Sequence, residues 1–222
     1  MVINVIPRGN MVDGKKLEEF VRIYWEDLCP VPRNDNPAWD NDGSKDGPFN
    51  NTVNESLYML SFSRFPLTGT GVPAAAVTRD IEIPADKGLF IPVMSVIVSA
   101  CEVSGNLISI ASQDQNSILP QSPPKLSLEL DGTPLTTLGS YICTPGAIGQ
   151  FQVNFPTSDA IFNIPNNSGP CNAVAGGRYV WTEPLSSNEK HKVQFKGYLK
   201  CNGSGCIDPE YIEDITYNIT VK

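Results

Sequence analysis

The sequence is poor in charged residues and holds a single histidine. Charged residues make up 18% of the 222 residues, against about 25% in a typical soluble domain. Disordered chains have the opposite balance, with high charge and few apolar residues, so the composition predicts a folded protein. Catalytic sites that need an imidazole would have to use His191, which we interpret as an exposed or edge-strand residue.

The short motifs that identify common enzyme active sites are also missing. The chain has no G-x-S-x-G turn, no Walker A loop, no G-x-G-x-x-G after a predicted strand and no H-E-x-x-H. No catalytic or cofactor-binding residue is therefore assigned. A carboxylate pair leaves no sequence pattern, because it is defined by a separation in space. The carboxylates in or beside candidate strands, which we interpret as outward-facing, are Asp80, Glu82, Glu102, Asp114 and Glu129.

Basic stripes and long apolar runs are scarce as well. The net charge is −8, whereas nucleic-acid-binding proteins carry a positive stripe that contacts phosphates, so we expect no nucleic-acid partner. The longest apolar stretch, Leu89 to Ala100, is interrupted by Pro92, and no run approaches the ~18–20 apolar residues of a membrane helix. We therefore expect no membrane insertion. The first residues lack the features of a secretion signal, so the sequence by itself leaves the localisation unknown.

Glycine and proline, in contrast, are abundant and spread along the chain. There are 18 glycines and 19 prolines, a distribution typical of many turns between short strands. From residue 57 onward apolar and polar residues alternate, most clearly at 215–221, and this is the period of half-buried strands. The pattern predicts a mainly β fold of the β-sandwich or jelly-roll type, with residues 1–222 forming a single domain.

The alternating segments place candidate strands along most of the chain after residue 56. They lie at 57–63, 77–83, 89–103, 107–111, 126–130, 138–143, 150–155, 160–164, 177–182, 191–199 and 215–221. In the second of these, one face carries Val77, Arg79, Ile81 and Ile83. Short strands with turn signals between them support the sandwich prediction.

One helix is predicted near the N-terminus, at residues 13–29. Its apolar stripe has helical spacing and consists of Leu17, Phe20, Val21, Trp25 and Leu28. Asp13 is the expected N-cap, and Pro30 ends the helix. Residues 31–56 follow as a long polar loop, which is unusual in a compact domain and often functional.

That loop contains the candidate binding residues. Hard cations bind several oxygen ligands supplied by a tight turn, so Asp40, Asp42 and Asp46 are candidate calcium ligands, and Ca²⁺ is the one cofactor considered. The EF-hand pattern is not followed, because Lys45 stands where that loop needs a glycine, and a solvated loop is the alternative. Trp39 is the candidate ligand-binding residue, since periodicity does not explain a tryptophan in this polar segment.

The six cysteines permit three disulfides, which could be connected in 15 ways. Cys201 and Cys206 are close in sequence and separated by a glycine-rich turn, so a disulfide between them is predicted. A zinc site is disfavoured, because there is no C-x-x-C pair and only one histidine. The alternative is a set of buried thiols.

Three sequence blocks occur at both ends and in the middle of the chain. Residues 36–43 read N-P-x-x-D-x-x-G, residues 84–93 read P-A-x-K-x-L-F-x-P-V, and residues 216–221 read T-Y-x-x-T-V. Through these blocks the chain resembles an uncharacterised family of mostly secreted bacterial and archaeal proteins. Asp86 departs from the family pattern, which has a glycine there. The resemblance implies a β-sandwich of unknown function with a secreted or surface location, and it assigns no catalytic residue.

Taken together, these features favour a non-enzymatic module, located on a surface, outside the cell or on a virion, that binds a glycan or assembles with copies of itself. An acidic β domain with cysteines and no catalytic motif fits that class. The alternative is a polysaccharide-acting hydrolase that uses a carboxylate pair. Fold alone does not decide between them.

Overall fold

The computed structural model describes residues 3–52, 56–62, 76–118, 126–157, 169–200 and 210–222. Over these residues the chain is mainly β, with two five-stranded sheets and a short N-terminal helix. This confirms the predicted β-sandwich fold class. The predicted strand at 160–164 lies outside the described residues.

Four helices lie among the described residues: α1 (Leu17–Leu28), α2 (Asp46–Thr52), α3 (Leu107–Ile118) and α4 (Pro145–Ile148). Short 3₁₀ turns occur at Pro37–Trp39 and Leu138–Ser140. No helix in this part of the chain is long and apolar enough to cross a membrane.

The first sheet contains β1 (Leu57–Met59), β3 (Gly88–Ser99), β8 (Gly169–Trp181), β6 (Ile142–Cys143) and β7 (Phe151–Phe155). Its order is β1-β3-β8-β6, and β7 also pairs with β8. The β1–β3 pair is parallel and the other pairs are antiparallel. A bulge between Pro92 and Met94 interrupts the register of β3 with β8, at the position where proline cannot donate to the ladder.

The second sheet contains β2 (Val77–Ile83), β10 (Glu210–Val221), β9 (Lys190–Lys200), β4 (Leu126–Leu130) and β5 (Thr133–Pro134). They are joined in that order, from β2 at one edge to β5 at the other. The β2–β10 pair is parallel, and its register places Tyr217 beside Arg79. Both residues therefore point to the buried face of the sheet.

One continuous core joins the two sheets and α1. The aromatic residues of α1 pack on the first sheet, with Phe20 5.7 Å from Trp181 and Tyr24 5.5 Å from Phe90 between ring centroids. The indole nitrogen of Trp25 donates to the Tyr179 hydroxyl at 3.1 Å. Burying each such ring stabilises the fold by roughly 1.5–3 kcal/mol. The apolar stripe identified in the sequence therefore attaches α1 to the first sheet.

Helix α1 is shorter than predicted. It begins at Leu17, because Asp13 adopts a left-handed turn with φ of 50° and Val12 bridges to Lys15. The backbone N–H of Lys16, the residue before the helix, donates instead to the Glu19 carboxylate at 2.9 Å. Asp13 is therefore a turn residue, and its prediction as the N-cap is wrong.

Of the strand predicted at 138–143, only Ile142–Cys143 is a strand, because Leu138–Ser140 forms a 3₁₀ turn. Two other predictions of local structure are corrected. Residues 107–111, predicted as a strand, begin helix α3, whose buried residues Leu107, Ala111 and Gln115 have the helical spacing of four. The loop predicted at 31–56 is interrupted by the turn Pro37–Trp39 and by α2. In helix α3 and in the segment 31–56, the local structure is determined by polar side chains that bond the backbone. It is not determined by the alternation of apolar residues.

Candidate functional site

The first half of the polar segment is tied to the end of α1 by a buried asparagine. Asn36 is fully buried, and its amide donates to the carbonyls of Leu28 at 2.9 Å and Val31 at 3.1 Å. Its side-chain oxygen accepts the N–H of Ala38 at 2.9 Å and so caps the 3₁₀ turn. Proline at the next position suits the start of such a turn. The direction in which the chain leaves α1 is therefore fixed.

A buried arginine holds the second half of the segment. Arg79 on β2 is fully buried, and its Nη2 donates to the carbonyls of Pro37 and Asp40, both at 2.8 Å. Its Nη1 donates to the carbonyl of Ser61 at 3.2 Å and to the hydroxyl of Tyr217. One guanidinium thus joins the polar segment, the chain after β1 and two strands of the second sheet.

Asp46, at the start of α2, is the counterion of this arginine. Its Oδ2 lies 3.7 Å from Arg79 Nη1, and both side chains are fully buried. The Tyr217 hydroxyl lies 3.2 Å from Asp46 Oδ1 and 2.8 Å from the Ser61 carbonyl, so it can donate to either. We call Arg79, Asp46, Tyr217 and Ser61 the Arg79 cluster. Buried charges are tolerated when they are paired and hydrogen-bonded. Here the two charges are paired, and Asp46 Oδ2 and Arg79 Nε are the cluster atoms buried without a hydrogen-bond partner among the described residues.

The electrostatics of the cluster are set by burial. Loss of solvent raises the pKa of Asp46 to about 7, although the charge of Arg79 opposes the shift. Burial would lower the pKa of Arg79, but the attraction of Tyr217 and Asp46 outweighs it and raises that pKa. Burial also raises the pKa of the Tyr217 phenol well above its ordinary value. At neutral pH the guanidinium is charged and the phenol keeps its proton, while burial favours the protonated form of the Asp46 carboxyl.

The three aspartates considered as calcium ligands have separate roles in this structure. The Asp40 carboxylate accepts the backbone N–H groups of Asp42 at 3.3 Å and Lys45 at 2.9 Å. The Asp42 carboxylate accepts the N–H of Ser44 at 2.9 Å, and bonds from Ser44 lower its pKa. Asp46 belongs to the Arg79 cluster. Among the described residues no group of three or more His, Cys, Asp or Glu side chains could hold a metal ion, so calcium binding stays a prediction.

Trp39 lies in the 3₁₀ turn and is half-buried. The guanidinium carbon of Arg33 stands 4.0 Å from the centre of its ring, the geometry of a cation–π pair. The ammonium of Lys45 lies 3.4 Å from the Trp39 carbonyl. Trp39, the predicted ligand-binding residue, therefore has two cationic neighbours, Arg33 and Lys45, which were not predicted from the sequence.

A second buried cluster lies at the opposite edge of the second sheet. His191 Nδ1 lies 2.8 Å from Asp131 Oδ2, and the other oxygen of Asp131 accepts the N–H of Lys192 at 2.7 Å. His191 Nε2 is 3.7 Å from Glu189 Oε2. His191 is 5% exposed and lies on β9, between β10 and β4, so its interpretation as an exposed or edge-strand residue is wrong. The carboxylate fixes the β4–β5 turn, in which Asp131 has φ of 50°.

The cysteines form one disulfide among the described residues, between Cys101 and Cys171, with 5.8 Å between their Cα atoms. It joins the end of β3 to the start of β8. Cys29 and Cys143 are buried free thiols, and burial raises the pKa of both, which makes them poor nucleophiles. The predicted pair Cys201 and Cys206 lies outside the described residues.

Reasoning from the sequence missed the Arg79 cluster, although one signal was present. Arg79 shares a strand face with Val77, Ile81 and Ile83, and the structure buries all of them. A charged residue on an apolar strand face requires a buried partner. The partner, Asp46, is 33 residues earlier in the sequence, so no local pattern connects the two.

No family model, no curated protein and no solved structure matches this chain. The resemblance to mostly secreted bacterial and archaeal proteins therefore stays a prediction that rests on the three sequence blocks. The fold class itself rests on the two sheets described above.

Proposed function

We propose that this protein is a non-enzymatic binding module that presents the segment 32–45 to a glycan. The observation that carries the proposal is the way Arg79 bonds two carbonyls of that segment, those of Pro37 and Asp40, from inside the fold. A polar loop held by buried bonds loses little conformational freedom when a ligand binds. Rigid scaffolds that position a loop in this way are the usual setting for recognition.

The outward side of this segment has the composition of a polar binding surface. Its exposed residues are Pro32, Asn34, Asp35, Asn41, Asp42 and Ser44, and Arg33, Trp39 and Lys45 are half-buried among them. We call these nine residues the loop surface. Ligand sites combine an aromatic surface with a few polar groups that fix orientation. Amide, hydroxyl and carboxylate groups match the alternating donors and acceptors of a sugar.

Trp39 and Arg33 supply the flat surface. The guanidinium carbon of Arg33 lies over the face of the indole ring, 4.0 Å from its centre, so the two flat groups form one stacked pair. A planar guanidinium presents several donors in a fixed geometry, which suits pairs of sugar hydroxyls or a sugar carboxylate. The charges of Arg33 and Lys45 are balanced within the loop surface by Asp35 and Asp42.

The hydrolase alternative needs a carboxylic acid that reaches the substrate. The carboxyl whose pKa is raised to about 7 is Asp46, and a raised pKa suits a general acid. Asp46 is fully buried between Arg79 and Tyr217, however, and a general acid must come within hydrogen-bonding distance of the bond it cleaves. Its position supports a structural role for this carboxyl.

The test is a thermal-shift screen against neutral and uronic-acid oligosaccharides, followed by calorimetry on any that bind. A ligand at ~100 times its dissociation constant adds about 2.7 kcal/mol of stability. Trp39→Ala is expected to weaken binding about tenfold, since a stacked ring contributes roughly 1 kcal/mol beyond its buried area. Trp39→Phe, the matched control, retains a flat ring and most of the affinity.

Two results would reject the proposal. One is the absence of any shift for the wild-type protein across the whole oligosaccharide panel. The other is an equal affinity in the wild-type and Trp39→Ala proteins, both shown to be folded by circular dichroism, since the ligand would then bind elsewhere.

A further inference from the structure

Strand β2 forms one edge of the second sheet and pairs with β10 alone among the described strands. The Ile83 carbonyl accepts the N–H of Lys222 at 2.9 Å, so the backbone groups of Ile83 point toward the end of β10. Backbone groups of successive residues in a strand point to opposite sides. Those of Thr78, Asp80 and Glu82 therefore point away from the sheet, where a further strand could bind.

Residues 40–46 lie against this edge, and we call them the guard segment. The Asp80 N–H donates to the Asp42 carbonyl at 3.0 Å, as it would to a neighbouring strand. Gly43 fits close to the strand, because a Cβ at that position would stand 2.8 Å from both the Asp80 carbonyl oxygen and Ile81 Cγ2. Its φ of +93° also favours glycine. The guard segment thus occupies the middle of the edge.

The guard segment is also held by bonds that do not involve the outward backbone groups of β2. Arg79 donates to the Asp40 carbonyl at 2.8 Å, and Tyr217 lies 3.2 Å from the Asp46 carboxylate. Within the segment, the Asp40 carboxylate bonds the Lys45 N–H at 2.9 Å. The fold therefore uses buried polar contacts to keep an irregular segment where a regular strand would fit.

We propose that the guard segment covers a strand-pairing surface on β2, and that its displacement lets a second copy of this chain pair edge to edge with the first. An exposed edge strand is a template for pairing with another chain, and a two-fold contact requires only the same surface on both copies. Both outward carboxylates of β2 have partners within the sheet. Asn218 donates to Asp80 at 2.8 Å. The charge of Lys222 balances that of Glu82, which reduces the repulsion between two copies.

The test compares two glycine variants by size-exclusion chromatography with light scattering. Gly43→Ala places a methyl group against the strand backbone, whereas Gly47→Ala, the matched control in α2, meets no atom within 4 Å. We expect the mass of Gly43→Ala to double relative to Gly47→Ala as the protein concentration rises. Gly47→Ala should behave as the wild-type protein does.

A second substitution identifies the surface. Thr78→Pro removes an outward N–H of β2 and leaves the bonds to β10 intact, since proline is tolerated at such edge positions. The double variant Gly43→Ala/Thr78→Pro should return to the mass of Gly47→Ala. If Gly43→Ala does not fold, Asp40→Ala tests the same idea, because it loosens the guard segment without adding an atom.

The proposal is overturned if the folded loosened variants keep the mass of the control. It is also overturned if the double variant associates as strongly as Gly43→Ala, because the contact would then lie on another surface. The readout is the mass of the protein without any glycan present, so it does not depend on whether the segment 32–45 binds one.

Discussion

Each edge of the second sheet has a cluster in which a carboxylate contacts a buried basic side chain, an arginine at one edge and a histidine at the other. The two clusters differ in how many groups they bond and in how deeply they are buried. At the β2 edge, Arg79 bonds the carbonyls of four separate residues and pairs with Asp46, and all of this is buried. At the β5 edge, Asp131 bonds His191 and Lys192 on β9, and the carboxylate side chain is 22% exposed.

The difference shows what each cluster stabilises. The cluster at the β5 edge fixes a tight turn whose strands are already paired, so it adds to a structure that the backbone ladder supports. The Arg79 cluster holds a segment that pairs with no strand, and the position of that segment depends on the cluster. A buried charge that loses its partner costs several kcal/mol, whereas a partly solvated one can bind water.

The largest effect is expected from removing the arginine. Arg79→Met leaves Asp46 without its cationic partner and removes one donor from each of four carbonyls, so the free energy of unfolding should fall by about 3–5 kcal/mol. Urea denaturation measures this loss. Adding Asp46→Leu should restore part of the stability, because both charges are then removed.

The control is Lys192→Met, which removes an exposed cation from the same sheet and should change the stability by less than about 0.5 kcal/mol. A similar loss in Arg79→Met and Lys192→Met would show that the buried cluster has no special role.

An intermediate effect is expected from pH. The pKa of Asp46 is raised to about 7 in the folded protein from an ordinary value of 3.8, so the folded state holds the proton more tightly than the unfolded state. The contribution of Asp46 to stability is therefore complete below about pH 4 and is lost as the pH rises through 7. Relative to Asp46→Asn, the wild-type protein should lose at most about 1.4 kcal/mol per pH unit in this window.

The measurement is a series of urea denaturation curves for both proteins from pH 4 to 8. Parallel stability profiles for the wild-type protein and Asp46→Asn would contradict the assignment of this proton to Asp46. At the β5 edge, Asp131→Asn serves as a comparison for the effect of a less buried carboxylate.

The smallest effect is expected at the β5 edge. Asp131→Ala removes the acceptor for His191 and Lys192 and places alanine at a φ of 50°, so we expect a loss of about 1–2 kcal/mol in unfolding free energy. Asp131→Asn should lose less than half of that, because asparagine tolerates the same φ and keeps one acceptor. Equal losses in thermal or urea unfolding would mean that the charge of Asp131 matters more than the turn.

The sequence predicted the parts of the fold that depend on local periodicity. The alternation of Ile215, Tyr217 and Ile219 and the stripe of α1 both correspond to buried faces in the structure. Helix α3 was predicted as a strand, because the apolar residues at 107–111 are too few to separate the two periods. Its N-terminal signal was Asn106, whose side chain accepts the N–H of Ser109 at 3.1 Å.

The candidate site was predicted only in part. The polar segment and Trp39 were identified from composition, and Asp40, Asp42 and Asp46 were identified as a group of acidic residues. The carboxylates of Asp40 and Asp42 bond backbone groups within the segment. The contacts of Asp46 depend instead on β2 and β10, which are distant in sequence and parallel to each other. A parallel pair requires a long connection, so its partners cannot be read from neighbouring residues.

The disulfide also determines how the molecule would respond to force. Cys101 and Cys171 are 70 residues apart, and the chain between them includes α3 and the β4–β5 hairpin of the second sheet. If the two termini are pulled apart, the enclosed residues carry no tension while the bond is intact. At about 3.3–3.6 Å per extended residue, the disulfide prevents roughly 230–250 Å of chain from extending. Reducing the bond would allow this length to extend as one additional step in a force–extension curve.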